Sequence, residues 1–346
     1  MNKKKKILII LVSFLALVLI TLSIMMFLLS KVSSKSEKVE FNINSGTNTV
    51  KIIKELKDNN LIRSEFMSKV YVKLSGKTSL KAGTYILNRN MSTKEIIDVL
   101  NKGASKDNSV SITFKPGYKI SNYAKDIKKN LGIDESEFLS TVNDREYLNS
   151  LISKYWFLTD DILNDKIYYA LEGYLYPDTY SFYKDASSKD IIEKMLDNTL
   201  KKLEDYKESI EKSSLSVHEI LTVASIIANE SKYSEDRSIV SQVIYKRLSL
   251  NMSLGMDVTT YYAVKKDLTE ELTKSDLNSV NGYNTRNTNF LGLPVGPICN
   301  MSKESIDAAL NPSNTDYIYF YADIKTGKLY FAKTYNEFLE LKEKYR

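Results

Sequence analysis

Cysteine and histidine are almost missing from this chain, one of each in 346 residues. A lone Cys299 closes no intramolecular disulfide. A lone His218 excludes an ordinary zinc site of three or four N/S ligands, and any histidine-based triad depends on that one residue. Glycine and proline are also scarce, at 12 and 5. Collagen-like, mucin-like and flexible low-complexity chains are therefore excluded. Neither sign of charge dominates: 49 Lys and Arg against 43 Asp and Glu leave +6. That balance suits an anionic surface and does not call for nucleic acid as a partner. Carboxylates, Lys, Tyr, Ser and Thr remain to do chemistry. Tyrosine is abundant at 24 residues, as suits a surface that handles polar, ring-shaped ligands. Apolar residues, 43% of the chain, supply a sizeable core, and the length suits two or three domains.

The one long apolar run lies at the N-terminus. Lys3, Lys4, Lys5 and Lys6 precede residues 7–30, which carry no charge. As a helix that run is about 36 Å long, enough for a hydrocarbon core of about 30 Å. A cleaved signal peptide has a shorter apolar region and a small-x-small cleavage site. No Cys follows the run, so a lipoprotein anchor is excluded. The lysines put the N-terminus in the cytoplasm and the remainder outside, a single-pass protein of the cell membrane.

Residues 31–38 form a short polar tether. Val39-Glu-Phe-Asn-Ile43 alternates as a half-buried strand does, Ser45-Gly46 turns the chain, and Thr49 caps a helix with Ile52, Ile53 and Leu56 on one face. The pattern returns 71 residues later. Val110-Ser-Ile-Thr-Phe114 is the strand, Pro116-Gly117 the turn, and Ile120, Tyr123, Ala124 and Ile127 the helix face. Lys81-Ala-Gly-Thr-Tyr-Ile-Leu87 reads as a further strand, and a Ser92-capped helix follows to Leu100. Small strand-helix units of this kind resemble LysM modules, which bind N-acetylglucosamine polymers. A plain spacer domain reads the same way.

From about residue 156 the signals sharpen. Leu171-Glu-Gly-Tyr-Leu-Tyr-Pro-Asp-Thr-Tyr180 gathers aromatic rings that stack on sugars and acidic groups that bond hydroxyls, or else tyrosines of a core strand and turn. Ser216-Val-His-Glu219 is a capping box. It opens an apolar helix that ends at Glu230, at the edge of the stripe that holds Val223, Ile226 and Ile227. A poorly solvated carboxyl there has a raised pKa, as a general acid near neutral pH requires. The competing reading is a solvated Glu in the last helical turn, or one salt-bridged to Lys232 or Arg237. His218, in the first turn, is expected at the surface or in the cap. Asp257 caps the next helix or supplies a second carboxylate. Tyr283-Asn-Thr-Arg286 leads into the turns of Gly292-Leu-Pro-Val-Gly-Pro-Ile-Cys-Asn300, which are expected to line a cleft. Asp316-Tyr-Ile-Tyr-Phe-Tyr-Ala322 and Leu329-Tyr-Phe331 read as a hairpin in the core sheet.

Five segments stand in a characteristic order: 171–180, Ala-Ser-Ile-Ile-Ala-Asn-Glu (224–230), Tyr-Asn-Thr (283–285), Gly-Leu-Pro-Val-Gly-Pro-Ile (292–298) and Ala-Ala-Leu-Asn-Pro (308–312). Together they resemble the endolytic murein transglycosylases (MltG, or YceG-like proteins), over nearly the whole chain. The resemblance implies cleavage of the β-1,4 bond between N-acetylmuramic acid and N-acetylglucosamine within peptidoglycan strands, with a 1,6-anhydro end left behind. The role would be to terminate or trim nascent strands. It puts the catalytic acid at Glu230 and needs no metal or other cofactor. Glu172, Tyr174, Asp178, Tyr180, Asp257, Tyr283 and Asn284 are expected to bind substrate. Partners implied are peptidoglycan strands, the cytoplasmic membrane, and peptidoglycan synthases of the elongation or division machinery. The family often has a second Glu where Ala228 stands, and Leu-Gln-Ser-Asp-Pro where this chain has Leu254-Gly-Met-Asp-Val258; Glu230 is untouched by either departure.

The expected fold is α+β. It comprises a cytoplasmic tail (1–6), a transmembrane helix (7–30), a tether (31–38), a LysM-like α/β region (39–155) and a mixed α+β catalytic domain (156–346). Two other activities fit the same residues: a muramidase in which Asp257 activates water, and a non-catalytic wall-binding scaffold.

Overall fold

A computed structural model of the chain describes residues 3–44, 46–103, 109–184, 186–323 and 325–345, with 3–11 by backbone alone. The fold is mixed α+β, and its contacts divide the chain into two compact units, Met1–Asn108 and Ser109–Arg346. The strands described form three separate two-stranded antiparallel sheets.

The first unit opens with α1 (Lys3–Leu29). Its Val12–Leu29 window has a mean hydropathy of 2.7 and none of it is buried, so the helix is long and apolar enough to cross a membrane. Of the expected tail, Met1 and Asn2 lie outside the described residues, and Lys3–Lys6 already have helical backbone. The turn residue Ser45 also lies outside them. Residues 31–37 are irregular but tied down: Ser33 N–H donates to the Arg89 carbonyl, and Arg63 Nε to that of Lys31. β1 (Lys38–Ile43) pairs with β2 (Gly83–Asn88), with Phe41 opposite Tyr85. Between them run α2 (Thr49–Asp58) and α3 (Glu65–Ser75), and α4 (Thr93–Lys102) follows β2. Asn48, not Thr49, caps α2, its side chain accepting from the Lys51 N–H. Ser92 and Glu95 close a reciprocal capping box on α4. Ile52, Ile53 and Leu56 pack with Phe41, Ile43, Leu87, Ile96 and Leu100 in one small core.

The second unit begins with β3 (Ser109–Thr113), paired with β4 (Thr179–Tyr183) so that Ile112 faces Tyr180. The contacts therefore divide the chain just before β3 and not near residue 155. The reason is aromatic packing: Phe114 meets Tyr123 at 4.4 Å and Phe182 at 6.4 Å between ring centroids, so the second strand-turn-helix copy is built into the larger core. The two copies nevertheless share their turn. Gly46 and Gly117 have φ of 83° and 82°, the left-handed region that glycine enters freely. At Gly117 a side chain would also meet Asn229 Oδ1 at 3.1 Å.

After β3 come α5 (Ile120–Leu131), α6 (Glu135–Thr141) and α7 (Arg145–Ile152). α8 (Ser188–Glu204), α9 (Lys207–Glu211), α10 (Val217–Glu230) and α11 (Ser234–Ser249) follow β4. Then come α12 (Asp257–Ala263), α13 (Lys274–Leu277) and α14 (Lys303–Leu310), β5 (Tyr319–Ala322), β6 (Leu329–Ala332) and α15 (Tyr335–Lys344). α10 is the centre of the unit. Val217 to Ile227 are all buried except Glu219, and α11 and α14 pack on them. A helix apolar on nearly every face is stable only when covered on nearly every face. The C-terminal hairpin forms its own sheet, Phe320 opposite Phe331, and is not part of a core sheet. Four residues per strand with half-buried aromatics are too little to be sandwiched on both faces.

Candidate active site

Ser216 starts α10 as expected: its hydroxyl accepts from the Glu219 N–H, and the Glu219 carboxylate accepts from the Ser216 N–H. The helix runs unbroken to Glu230, where Ser231 takes extended backbone (φ −112°, ψ 110°) and ends it. Glu230 is thus presented at the C-terminal end of the most buried helix. It is half-buried, and its Oε1 is buried with no hydrogen-bond partner. Burial pushes its pKa up to about 7, and the neighbouring Asp257 charge pushes the same way; Arg286, the Val258 N–H and Arg247 partly offset them. Such a group is protonated in half the molecules near neutral pH and is ready to give or take a proton. Neither Lys232 nor Arg237 pairs with it: Lys232 donates to the Thr326 carbonyl, and Arg237 lies 3.8 Å from Glu304.

α12 carries the opposing wall. Its first residue is Asp257, with Met256 in the cap position. Asp257 Oδ1 accepts from Arg286 Nε at 2.5 Å, and both side chains stay accessible, 50% and 44% exposed. Arg286 is the site residue that reading the sequence missed. It directly follows the Tyr283-Asn-Thr motif, and that adjacency was the available signal. Arg247 approaches from α11, its Nη1 donating to the Leu254 carbonyl and its Nε to that of Ile318. Gly255 lets it in: φ there is +60°, and a Cβ would stand 3.3 Å from Arg247 Nη1.

The rest of the motif residues form a frame around α12. Thr259 and Thr285 hydroxyls pair at 2.8 Å, and the Met256 N–H donates to Thr285. Asn284 is fully buried. Its Oδ1 accepts from the Thr260 hydroxyl at 2.7 Å, while its amide donates to the carbonyls of Leu277 and Ser279. Tyr283, also buried, packs on Tyr262 with centroids 4.7 Å apart. Tyr262 in turn donates its hydroxyl to Glu172 at 3.1 Å. Glu172 also accepts from the Ile120 N–H at 2.9 Å and from Asn300 Nδ2 at 3.1 Å. Burial pushes its pKa up to about 8, against the Ile120 N–H, the Tyr262 hydroxyl and the Lys119 charge.

The remaining predicted site residues lie apart from Glu230. Tyr174 is buried in the core, its hydroxyl 2.7 Å from His218 Nδ1. His218 is buried too, a correction to the expected surface position. Its Nε2–H donates to the Val295 carbonyl at 2.9 Å, which leaves Nδ1 to accept from Tyr174. With α10 covered on nearly every side, only Glu219 of its first turn meets solvent, and the His218 side lies against Tyr174 and Val295. Tyr180 is buried, donates to the Tyr176 carbonyl and accepts from Asn198. Asp178 is exposed and bonded to the Thr179 N–H and Asn198. Residues 296–300 are buried, with the Ile298 N–H on Ser225 of α10. Glu230 and Asp257 are therefore brought together; Glu172 and Tyr283 reach them through α12, and Asn284 both through α12 and through the Arg286 N–H, which donates to its Oδ1 at 3.1 Å; among the described residues, Tyr174, Asp178 and Tyr180 share no partner with Glu230. Among the described residues, no three His, Cys, Asp or Glu side chains gather as a metal site.

The model of the family described as YceG-like matches residues 41–344. A protein from Bacillus subtilis (strain 168) named endolytic murein transglycosylase is 37% identical over 310 residues, which cover 89% of this chain and 84% of the relative. A protein of the same name from Streptococcus pneumoniae serotype 2 (strain D39) is 30% identical over 318 residues, 87% of this chain and 57% of that longer relative. The crystal structure of a yceG-like protein from Listeria monocytogenes superposes with a TM-score of 0.64 at 35% identity, covering 89% of this chain and 100% of that one.

Proposed function

This chain belongs to the YceG-like family, and from that premise we propose that it is a membrane-anchored lytic transglycosylase of peptidoglycan. Its bond is the β-1,4 linkage from N-acetylmuramic acid to N-acetylglucosamine, cut within the strand. The observation that carries the reading is Glu230: a carboxyl with a pKa raised to about 7 and one buried oxygen unpartnered. Hydrolases of glycosides use two carboxyl groups, one as acid and one as nucleophile or base for water. A lyase needs one. Glu230 donates its proton to the glycosidic oxygen, and the bond from that oxygen to C1 of the muramic acid breaks. The N-acetylglucosamine leaves with a new 4-hydroxyl. The Glu230 carboxylate then takes the proton of the C6 hydroxyl while O6 closes on C1. Glu230 ends as it began, protonated, and no water is consumed. The raised pKa serves both halves, because neither the acid nor the base form is costly near neutral pH.

Asp257 and Arg286, accessible beside Glu230, are the groups that meet the sugar. Glu172, Tyr283 and Asn284 act on substrate through the frame they hold around α12, Tyr174 and Tyr180 through the core of the second unit, and Asp178 is left as an outlying contact. The β-α-α-β order of the first unit supports a LysM-like module that binds glycan or spaces the second unit from the membrane. α1 anchors the chain with Lys3–Lys6 inside and the residues beyond α1 outside, where peptidoglycan and its synthases are. Protease added to protoplasts should then digest everything beyond α1; a protected full-length chain would overturn this topology.

Incubation of purified sacculi with the protein, followed by mass spectrometry of the released muropeptides, tests the chemistry. Anhydro ends, lighter than hydrolysed ends by one water, are expected, and Glu230→Gln should release none. Asp257 next to Glu230 favours a second reading, a muramidase with Asp257 as base. Hydrolysed ends in place of anhydro ends would establish that instead.

A further inference from the structure

α3 buries Val72 in the small core but leaves a second apolar face in water. Ser68 is fully buried, its hydroxyl bonded to the Ser64 carbonyl, while Phe66 and Leu74 are 72% and 76% exposed. At about 100° per residue, Phe66, Val70 and Leu74 fall on one stripe about 80° wide, with Lys73 along one edge and Lys69, ion-paired with Glu65, beyond it. Val70 is half-buried and Lys73 exposed. Apolar side chains scattered singly on a surface need no explanation, but a stripe with a basic margin is the pattern of an interfacial helix.

The position of the stripe names what covers it. Arg63 stands one residue before the Ser64 cap of α3. Its guanidinium lies over the ring of Phe27, 4.7 Å from the centroid, and donates to the carbonyls of Lys31 and Val32. Phe27 belongs to the last turn of α1, and α1 packs directly on α3. Phe66 follows Arg63 by three residues. It is therefore held within about one helical turn of the end of the bilayer-crossing segment. An arginine at that level is where a snorkelling cation is expected, with its stem on apolar surface and its head at the phosphates.

We propose that α3 is a second membrane contact: it lies in the lipid headgroup layer at the exit of α1, with Phe66, Val70 and Leu74 toward the acyl boundary and Lys73 among the phosphates. The inference rests on the reading of α1 as an anchor. Its consequence is that the first unit is docked to the bilayer along about 12 Å of helix and does not swing on a tether.

Full-length protein carrying Phe66→Cys or Leu74→Cys tests this in phosphatidylglycerol-containing vesicles. The native Cys299 is buried, so a nitroxide reagent labels the new site. Spin relaxation by oxygen, which partitions into lipid, is compared with relaxation by a water-soluble nickel chelate, after flotation has recovered the vesicle-bound chain. Oxygen should dominate at both positions. Nickel dominance at either one, in a chain that floats, overturns the docking and leaves the anchor intact. Shielding from both reagents also overturns it, in favour of a protein partner or a second copy on the stripe. A chain that fails to float overturns the anchor and the docking together.

Discussion

Replacing Glu230 with Gln should destroy activity and, at alkaline pH, make the second unit more stable. The folded carboxyl binds its proton more tightly than the unfolded chain does, with a pKa of about 7 against the ordinary 4.5. Below pH 4.5 both states are protonated and the group's contribution is fully present. Between 4.5 and 7 the unfolded chain ionises first, so stability falls as pH rises through that window. Above 7 the native protein carries a carboxylate in a poorly solvated place. At about 1.36 kcal/mol per pH unit, the difference is roughly 3 kcal/mol. Glu230 is half-buried and not sealed, so screening by solvent brings the expected cost to about 2 kcal/mol. Gln keeps the shape without the charge and escapes that cost. For a unit of this length, about 2 kcal/mol corresponds to a rise in Tm of roughly 4–8 °C. Calorimetry of both proteins at pH 8 and pH 5 reads the effect directly: the variant melts higher at pH 8, and most of its advantage is gone at pH 5. A variant that melts at or below the parent at pH 8 would refute the reasoning, since the carboxylate would then be stabilised by its surroundings and would not be a poised acid.

Asp257 raises the pKa of Glu230 and Arg286 lowers it, so their replacements should act oppositely. In Asp257→Asn the alkaline limb of kcat/KM moves to lower pH by about one unit, and in Arg286→Gln it moves up; limbs that move together would contradict the assignment. His218→Ala strips the Tyr174 hydroxyl and the Val295 carbonyl of their buried partner. It should cost about 2–4 kcal/mol in urea unfolding, and a loss under about 0.5 kcal/mol would show the histidine to be dispensable. EDTA should leave activity unchanged, because one His and one Cys cannot build an ordinary zinc site. A loss restored by added zinc would point to a carboxylate-based metal site.

What the sequence discloses here is what short separations encode. The Ser216 and Glu219 box, the Gly46 and Gly117 turns, and the place of Glu230 relative to Ile226 and Ile227 are each settled within a few residues. The contacts that decide the other roles span far more chain: 29 residues from Arg286 to Asp257, 77 from His218 to Val295 and 128 from Asn300 to Glu172. His218 shows the limit most clearly. An amphipathic reading leaves a first-turn histidine on the wet side, yet α10 has almost no wet side, and only the tertiary packing says so. The aromatic and amide motif residues show the same limit from the other direction. Tyr174, Tyr283 and Asn284 have the chemistry of a sugar platform, but they are buried, with their polar atoms engaged by protein. Alanine at any of them should therefore lower activity and stability together. At Asp257 and Arg286, half-exposed beside the acid, the two losses should separate, with activity falling while the melting curve stays in place. A scan that measures only activity would rank all five alike, and only the paired measurement tells the residues that touch substrate from those that hold the core and α12 in position.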